Sequence, residues 1–177
     1  MRIAVFCGSS ARAPQTCLAD AAALGAEIAR RGHTLIYGGG RTGLMGALAD
    51  AALARGGTVR GVILRDFIEA DVHHAGLHEL TPVDDMRARK AGLDARAEAF
   101  VALPGGLGTL EEVAEILSFR KLRLHRRRLV FFDSRGFFAP FLEQLEGCIR
   151  AGFDRPGIRD FFAVATSAPE AVSLCDS

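Results

Sequence analysis

The sequence predicts an α/β protein, a Rossmann-like, doubly wound, mostly parallel sheet of about seven strands with helices on both faces. Two observations predict it. Short apolar runs alternate with longer segments of helical period from end to end, with no internal repeat and no low-complexity linker, so residues 1–177 read as a single domain. Two glycine clusters, Gly38-Gly39-Gly40 with Gly43 and Gly46, and Gly105-Gly106 with Gly108, each follow an apolar run and precede a helical segment. Right-handed crossovers place both clusters at the carboxyl edge of the sheet, where such folds bind ligands.

The elements follow in order. Ile3-Ala4-Val5-Phe6 reads as a strand, and Thr16 to Arg31, after Pro14, as a helix with apolar positions at Leu18, Ala22, Gly25, Ala26 and Ala29. Thr34 to Tyr37 is a second strand, Leu44 to Arg55 a second helix and Val59 to Leu64 a third strand. Asp66 to Gly76 is irregular and bears histidines, with a short strand at Glu79 to Val83 after it. Asp84 or Asp85 caps a helix to about Glu98. A buried strand, Ala99 to Leu103, leads to a helix from Thr109 to about Leu122. Leu129 to Phe132, a helix from Phe137 to Arg150, a strand Phe161 to Ala165 and a helix Ala168 to Leu174 complete the chain.

Composition excludes the extremes. Lys plus Arg is 22 against 21 for Asp plus Glu, with 49% apolar and 24% charged residues, which excludes a disordered or strongly basic chain. No global field draws in nucleic acid. No apolar run approaches the roughly 20 residues of a membrane span, and the run before Gly8 falls short of the roughly 7–15 of a secretory signal. The cysteines Cys7, Cys17, Cys148 and Cys175 are scattered without zinc spacing, as in a cytoplasmic protein with reduced thiols. His73, His74 and His78 lack a metal-binding spacing, so no metal is expected; His33 and His125 read as isolated turn residues.

Gly38-Gly39-Gly40-Arg41-Thr42-Gly43 matches the dinucleotide fingerprint, with Asp66 as the candidate ribose acid. Its place after the second strand argues against that reading, and glycines that merely permit a tight turn are an equal alternative. Pro104-Gly105-Gly106-Leu107-Gly108-Thr109 is more specific. Backbone N–H groups and a helix N-terminus there suit a phosphate, although the Lys-Ser/Thr pair of a Walker loop is missing. Glu112, three residues after Thr109, also stands at capping-box spacing, so a purely structural role competes with a chemical one. Between the clusters, Met86, Arg89 and Lys90 share a helical face near the binding edge, with Arg87 turned away. The run Arg123 to Arg128 reads as surface or subunit-contact charge.

Cys7-Gly8-Ser9-Ser10, Tyr37-Gly38-Gly39-Gly40-x-x-Gly43-Leu44-Met45-Gly46, Met86-x-x-Arg89-Lys90 and Pro104-Gly105-Gly106-x-Gly108-Thr109-x-x-Glu112 occur in this order. Together they resemble the LOG (Lonely Guy) family of cytokinin riboside 5′-monophosphate phosphoribohydrolases, once often labelled lysine decarboxylases. The likeness runs from about Ile3 to Leu174. It implies a homodimeric N-glycosidase that cleaves an adenine-type nucleoside 5′-monophosphate, AMP or an N6-modified AMP, to free base and ribose 5-phosphate without a cofactor. The family's catalytic pair falls on Arg89 and Glu112, and its substrate-binding positions on Gly8, Ser9, Gly40, Gly43, Met86, Lys90, Gly105, Gly106, Gly108 and Thr109.

The chain departs from the family pattern at Arg87 and Ala88, where His and Glu are common, and at Phe119 and Lys121, where Trp and Gln are common. These departures set plain AMP against an isoprenoid-bearing adenine as the preferred substrate. A non-catalytic nucleotide carrier of the same fold is the alternative if Glu112 is only a cap. A dinucleotide-dependent oxidoreductase rests on Gly38 to Gly43 alone.

Overall fold

A computed structural model describes residues 1–176. The chain runs β1 (Arg2–Phe6), α1 (Gln15–Arg30), β2 (Thr34–Tyr37), α2 (Gly43–Ala54), β3 (Val59–Leu64), α3 (Arg65–Glu69), β4 (Glu79–Val83) and α4 (Met86–Arg96). It continues through β5 (Ala99–Ala102), α5 (Leu107–Lys121), β6 (Leu129–Phe132), α6 (Ala139–Arg150), β7 (Phe162–Ala165) and α7 (Ala168–Cys175). The seven strands form one parallel sheet in the order β4-β3-β2-β1-β5-β6-β7, the doubly wound arrangement expected from the sequence.

Side chains alternate across a strand, so each strand feeds two cores. Ile3, Val5 and Cys7 pack with Leu24, Leu48 and Val172 beneath α1, α2 and α7. Ala4 and Phe6 pack with Leu93, Val113 and Ile116 beneath α4 and α5. The chain winds outward from β1 to β4 and then returns to the other side of β1 as β5, which sets Phe6 beside Ala102. The turns that follow are tied together, Leu103 N–H donating to the Phe6 carbonyl at 2.9 Å and Gly8 N–H to the Pro104 carbonyl at 3.0 Å. A reversal of winding direction opens a crevice at the carboxyl edge, and this one lies between the two glycine turns.

Several expectations are corrected. Helix α5 starts at Leu107, with Gly106 extended at its N-cap, so Thr109 lies inside the first turn and does not cap; Glu112 is a turn further in and closes no capping box. Despite glycine's poor helix propensity, the first turn of a helix needs no preceding hydrogen bond and so tolerates Gly108. Helix α1 buries Ala21, Leu24, Gly25 and Ile28, with Ala22, Ala26 and Ala29 flanking, because an alanine-rich helix gives little contrast between faces. Its buried Glu27 is held by Arg30 and Arg31, whose hydrogen bonds bring its pKa down to about 2. The segment read as irregular contains α3. Helix α4 ends at Arg96, since Glu98 is drawn into the sheet, its N–H donating to the Arg2 carbonyl at 2.8 Å. Helix α6 starts at Ala139, because the Asp133 carboxylate accepts from Phe137 and Phe138 N–H and holds them in a turn.

His125 and Arg127 are not loose surface residues. His125 Nε2 lies 3.1 Å from the Ile116 carbonyl, its ring packs on Phe100, and burial pushes its pKa down. Arg127 bonds the Asp94 carboxylate at 2.6 Å and stacks over Phe100, joining the entry of β6 to the end of α4. His33 is also engaged, 3.2 Å from the Asp176 carboxylate.

Candidate active site

The site is built around one buried arginine. Asp85 caps α4 by accepting from Ala88 N–H at 2.8 Å, and one turn in from the cap Arg89 points under the ends of β2 and β3. There its Nε donates to the Val62 carbonyl at 3.2 Å and its Nη2 to the Gly38 carbonyl at 3.4 Å. The remaining nitrogen, Nη1, donates to Glu112 Oε1 at 3.3 Å across the crevice. Gly38 makes this possible, since a Cβ at that position would lie 2.0 Å from Arg89 Nη2.

Glu112 is 7% exposed and Arg89 6%. Burial pushes the Glu112 carboxyl up to about 7, and the Arg89 charge opposes this without cancelling it. At neutral pH both protonation states are therefore populated, as general acid–base chemistry requires. The Cys7 thiol stands beside the pair, and burial raises its pKa strongly, so it stays protonated and is a poor nucleophile.

The pair opens on a cleft of about 540 Å³ at the β1/β5 reversal. Gly8, Ser9, Gly40, Met86, Arg89, Gly106, Gly108, Thr109 and Glu112 line it, so most of the residues singled out in the sequence converge there. Three do not border it. Gly105 sits behind the loop, against Thr109. Gly43 has φ +61° and would set a Cβ 2.6 Å from the Ser9 carbonyl carbon, so it serves the packing of α2 against the Cys7–Ser10 loop. Lys90 turns to the other side of Glu112, into a second cavity of about 360 Å³ lined by residues of α4 and α5.

The two glycine turns end in helix N-termini of different kinds. At α2, Leu44 N–H donates to the Gly8 carbonyl at 3.0 Å and the Thr42 hydroxyl to the Ser9 carbonyl at 2.8 Å. At α5 the cap is Gly106, which has no side chain to offer the first-turn N–H groups of Leu107, Gly108 and Thr109. Those donors and the helix dipole make the α5 end receptive to an anion. Asp66 is exposed on α3 and does not border the cleft, so the dinucleotide reading loses its ribose acid.

Sequence reasoning missed the apolar wall formed by Ile63, Phe67, Ala70 and Val72. Its signal was the scatter of Phe67, Ile68, Ala70 and Val72 among charged residues, which follows neither a strand nor a long helix period. The wall is strapped to the first glycine turn by Arg41 N–H donating to the Val72 carbonyl and His74 N–H to the Gly39 carbonyl. His74 also lies 3.0 Å from the Asp50 carboxylate, which gives this histidine a structural task. Among the described residues, no group of three or more His, Cys, Asp or Glu side chains is placed to hold a metal ion.

Residues 45–175 match the family described as possible lysine decarboxylase. Over 177 residues the chain is 40% identical to the cytokinin riboside 5′-monophosphate phosphoribohydrolase of Rhodococcoides fascians, covering 99% of this chain and 89% of that one. The chain belongs to the LOG family. A second LOG relative, a probable cytokinin riboside 5′-monophosphate phosphoribohydrolase of Oryza sativa subsp. japonica, is 38% identical over 171 residues, covering 97% of this chain and 75% of its own. The molybdenum cofactor carrier protein of Chlamydomonas reinhardtii shares the fold, with a TM-score of 0.75 at 23% identity over 99% of this chain and 95% of that one. The departures from the LOG pattern lie outside the cleft: Arg87 and Ala88 are exposed on α4, Phe119 lines the second cavity, and Lys121 pairs with Asp154.

Proposed function

We propose that the chain hydrolyses the N-glycosidic bond of an adenine-type nucleoside 5′-monophosphate, releasing the free base and ribose 5-phosphate. The observation that carries this reading is the buried Arg89–Glu112 pair lining one cleft with the open N-terminus of α5. The 5′-phosphate binds the N–H groups at Gly106 to Thr109, which fixes the sugar with its anomeric carbon toward Glu112. As the C1′–N bond breaks, its electron pair leaves with the base, which takes up a proton from solvent water, and positive charge builds on the ribose. Ionised Glu112 stabilises that charge and accepts a proton from the water that adds to C1′. Arg89, with its nitrogens already held by Val62, Gly38 and Glu112, keeps the carboxylate aimed and presents its planar fork to ribose or phosphate oxygens.

The carrier alternative required Glu112 to be a helix cap, and the helix start at Leu107 removes that support. Homodimerisation, a cytoplasmic location and AMP as the better substrate than its isoprenoid-modified counterpart belong to the same proposal. The LOG resemblance implies the first, and the last is prompted by the departures at Arg87, Ala88, Phe119 and Lys121, none of which borders the cleft itself.

The test incubates the chain with AMP, isoprenoid-modified AMP and adenosine and measures free base. Both nucleotides release base and adenosine is a poor substrate. Glu112→Gln lowers turnover by roughly 10²–10⁴-fold with an unchanged circular dichroism spectrum. No base release from any purine monophosphate overturns the reading.

A further inference from the structure

Lys90 has no place in the chemistry above, yet it is held more tightly than any solvated lysine needs to be. Glu111 and Glu115 are four residues apart on α5, so they share a face, with Glu112 turned away from it toward the cleft. The Lys90 ammonium lies 2.5 Å from Glu111 Oε1 and 2.7 Å from Glu115 Oε2, and its side chain is only 16% exposed. An ammonium that holds two carboxylates would have to release them to reach a phosphate in the cleft. Around it the second cavity is walled by Phe6, Ala91, Ile116 and Phe119, and Glu112 borders this cavity as well as the cleft. Apolar walls screen charge weakly, so Lys90 acts on Glu112 from behind.

We propose that Lys90 is a positioning residue: clamped between Glu111 and Glu115, it ties α4 to α5 and biases the Glu112 carboxyl electrostatically from behind the cleft, without touching the nucleotide. The kinetic arm of its test rests on the phosphoribohydrolase reading; the stability arm does not.

The groups that face Glu112 are Arg89 and Lys90 from α4, Glu111 from α5, and the protonated Cys7 thiol from the end of β1, with Glu115 bound to Lys90 and Asp94 of α4, paired with Arg127, also lining the second cavity. Arg89 and Lys90 favour the carboxylate and Glu111 opposes it. Lys90→Met keeps most of the aliphatic stem, removes one favouring charge and leaves Glu111 and Glu115 uncompensated. Each change moves the ionisation of Glu112 to higher pH.

The experiment measures kcat and KM for AMP across pH in the full chain, its Lys90→Met and Lys90→Arg variants and, as a safeguard, Glu115→Gln. In parallel, each background is compared with its own Glu112→Gln counterpart in urea unfolding, and the pH at which the stability difference levels off reports Glu112 without substrate. Lys90→Met moves both the acid limb and the levelling pH upward by about half a pH unit or more, with KM within about threefold of the unsubstituted chain. Lys90→Arg restores the original profile. Glu115→Gln, which frees the Lys90 charge, moves both downward and decides the question if Lys90→Met does not fold. A KM raised about tenfold or more with an unmoved profile makes Lys90 a nucleotide ligand and overturns the proposal. So does an unmoved profile with unchanged KM. If the unsubstituted chain releases no base, the functional reading fails and the levelling pH alone decides the role of Lys90.

Discussion

The turns at Gly38–Gly43 and Gly105–Gly108 leave the same sheet edge, and both are rich in glycine for different reasons. In the first, two glycines clear space for the protein itself, Gly38 for the Arg89 guanidinium and Gly43 for the backbone of Ser9 and Ser10, while Gly40 borders the cleft. In the second, a Cβ at Gly106 or Gly108 would meet no protein atom within 4 Å, so the space those glycines leave is open to a ligand. A glycine-rich turn is thus a statement about close approach, and only the neighbours reveal whether the thing approaching is a side chain or a substrate. That distinction explains why a dinucleotide fingerprint at Gly38 to Gly43 is not a dinucleotide site.

The largest expected effect breaks the first turn. In Gly38→Ala the new methyl group would stand 2.0 Å from Arg89 Nη2, so the guanidinium must move and its bond to Glu112 goes with it. The end of a side chain yields more easily than backbone, so turnover falls by about 10²-fold or more while stability falls modestly. Gly43→Ala reverses the balance. Its Cβ would stand 2.6 Å from the Ser9 carbonyl carbon at φ +61°, and neither backbone nor φ can yield cheaply. A loss of roughly 2–4 kcal/mol is expected. Urea unfolding and AMP kinetics on both variants check the contrast; equal effects on both readouts would mean that the two glycines do one job.

An intermediate effect concerns the charge between the turns. The Glu112 carboxyl titrates at about 7 in the folded chain against a reference of 4.5, so between those values the folded chain binds more protons than the unfolded one. Its stabilising contribution is complete below the lower value and is lost as pH rises through about 7, which amounts to about 3 kcal/mol at most. Glu112→Gln keeps an acceptor for Arg89 but carries no titrating proton. The variant therefore gains stability relative to the unsubstituted chain as pH is raised from about 4.5 to 8 in parallel urea titrations. A variant that loses ground over that range would show that Arg89 stabilises the ionised form more than burial opposes it.

Much of this arrangement was legible in the sequence. The strands were readable because nearly every one is a compact apolar run, and the carboxyl-edge crevice followed from the alternation with helices. The Arg89–Glu112 pairing was not readable from periodicity, because the two residues lie on helices that meet only through the return of β5 beside β1; motif order supplied it. Helical arithmetic grouped Lys90 with Arg89, but neighbours on a helix diverge by about 100°, enough to send them into different cavities. The wall at Phe67 and Val72 was hidden because its shape comes from hydrogen bonds to Gly39 and Arg41, which leave no periodic trace.

The smallest expected effect sharpens the comparison most. Gly108 lies in the first turn of α5, its added Cβ meets nothing within 4 Å, and its φ is not in the left-handed region. Alanine there improves helix propensity and restricts the unfolded chain, so Gly108→Ala leaves stability unchanged or raises it by up to about 1 kcal/mol. Any cost must then appear in ligand binding, because the methyl group occupies space in the cleft at the anion-receptive helix end. KM for AMP rises by about tenfold or less, whereas the weak cleavage of adenosine, which places no phosphate there, is unaffected. Equal losses with both substrates would place the phosphate elsewhere. A stabilised variant with unchanged kinetics on both would mean that the space beside Gly108 receives no ligand group, and the contrast with Gly38 and Gly43 would fail.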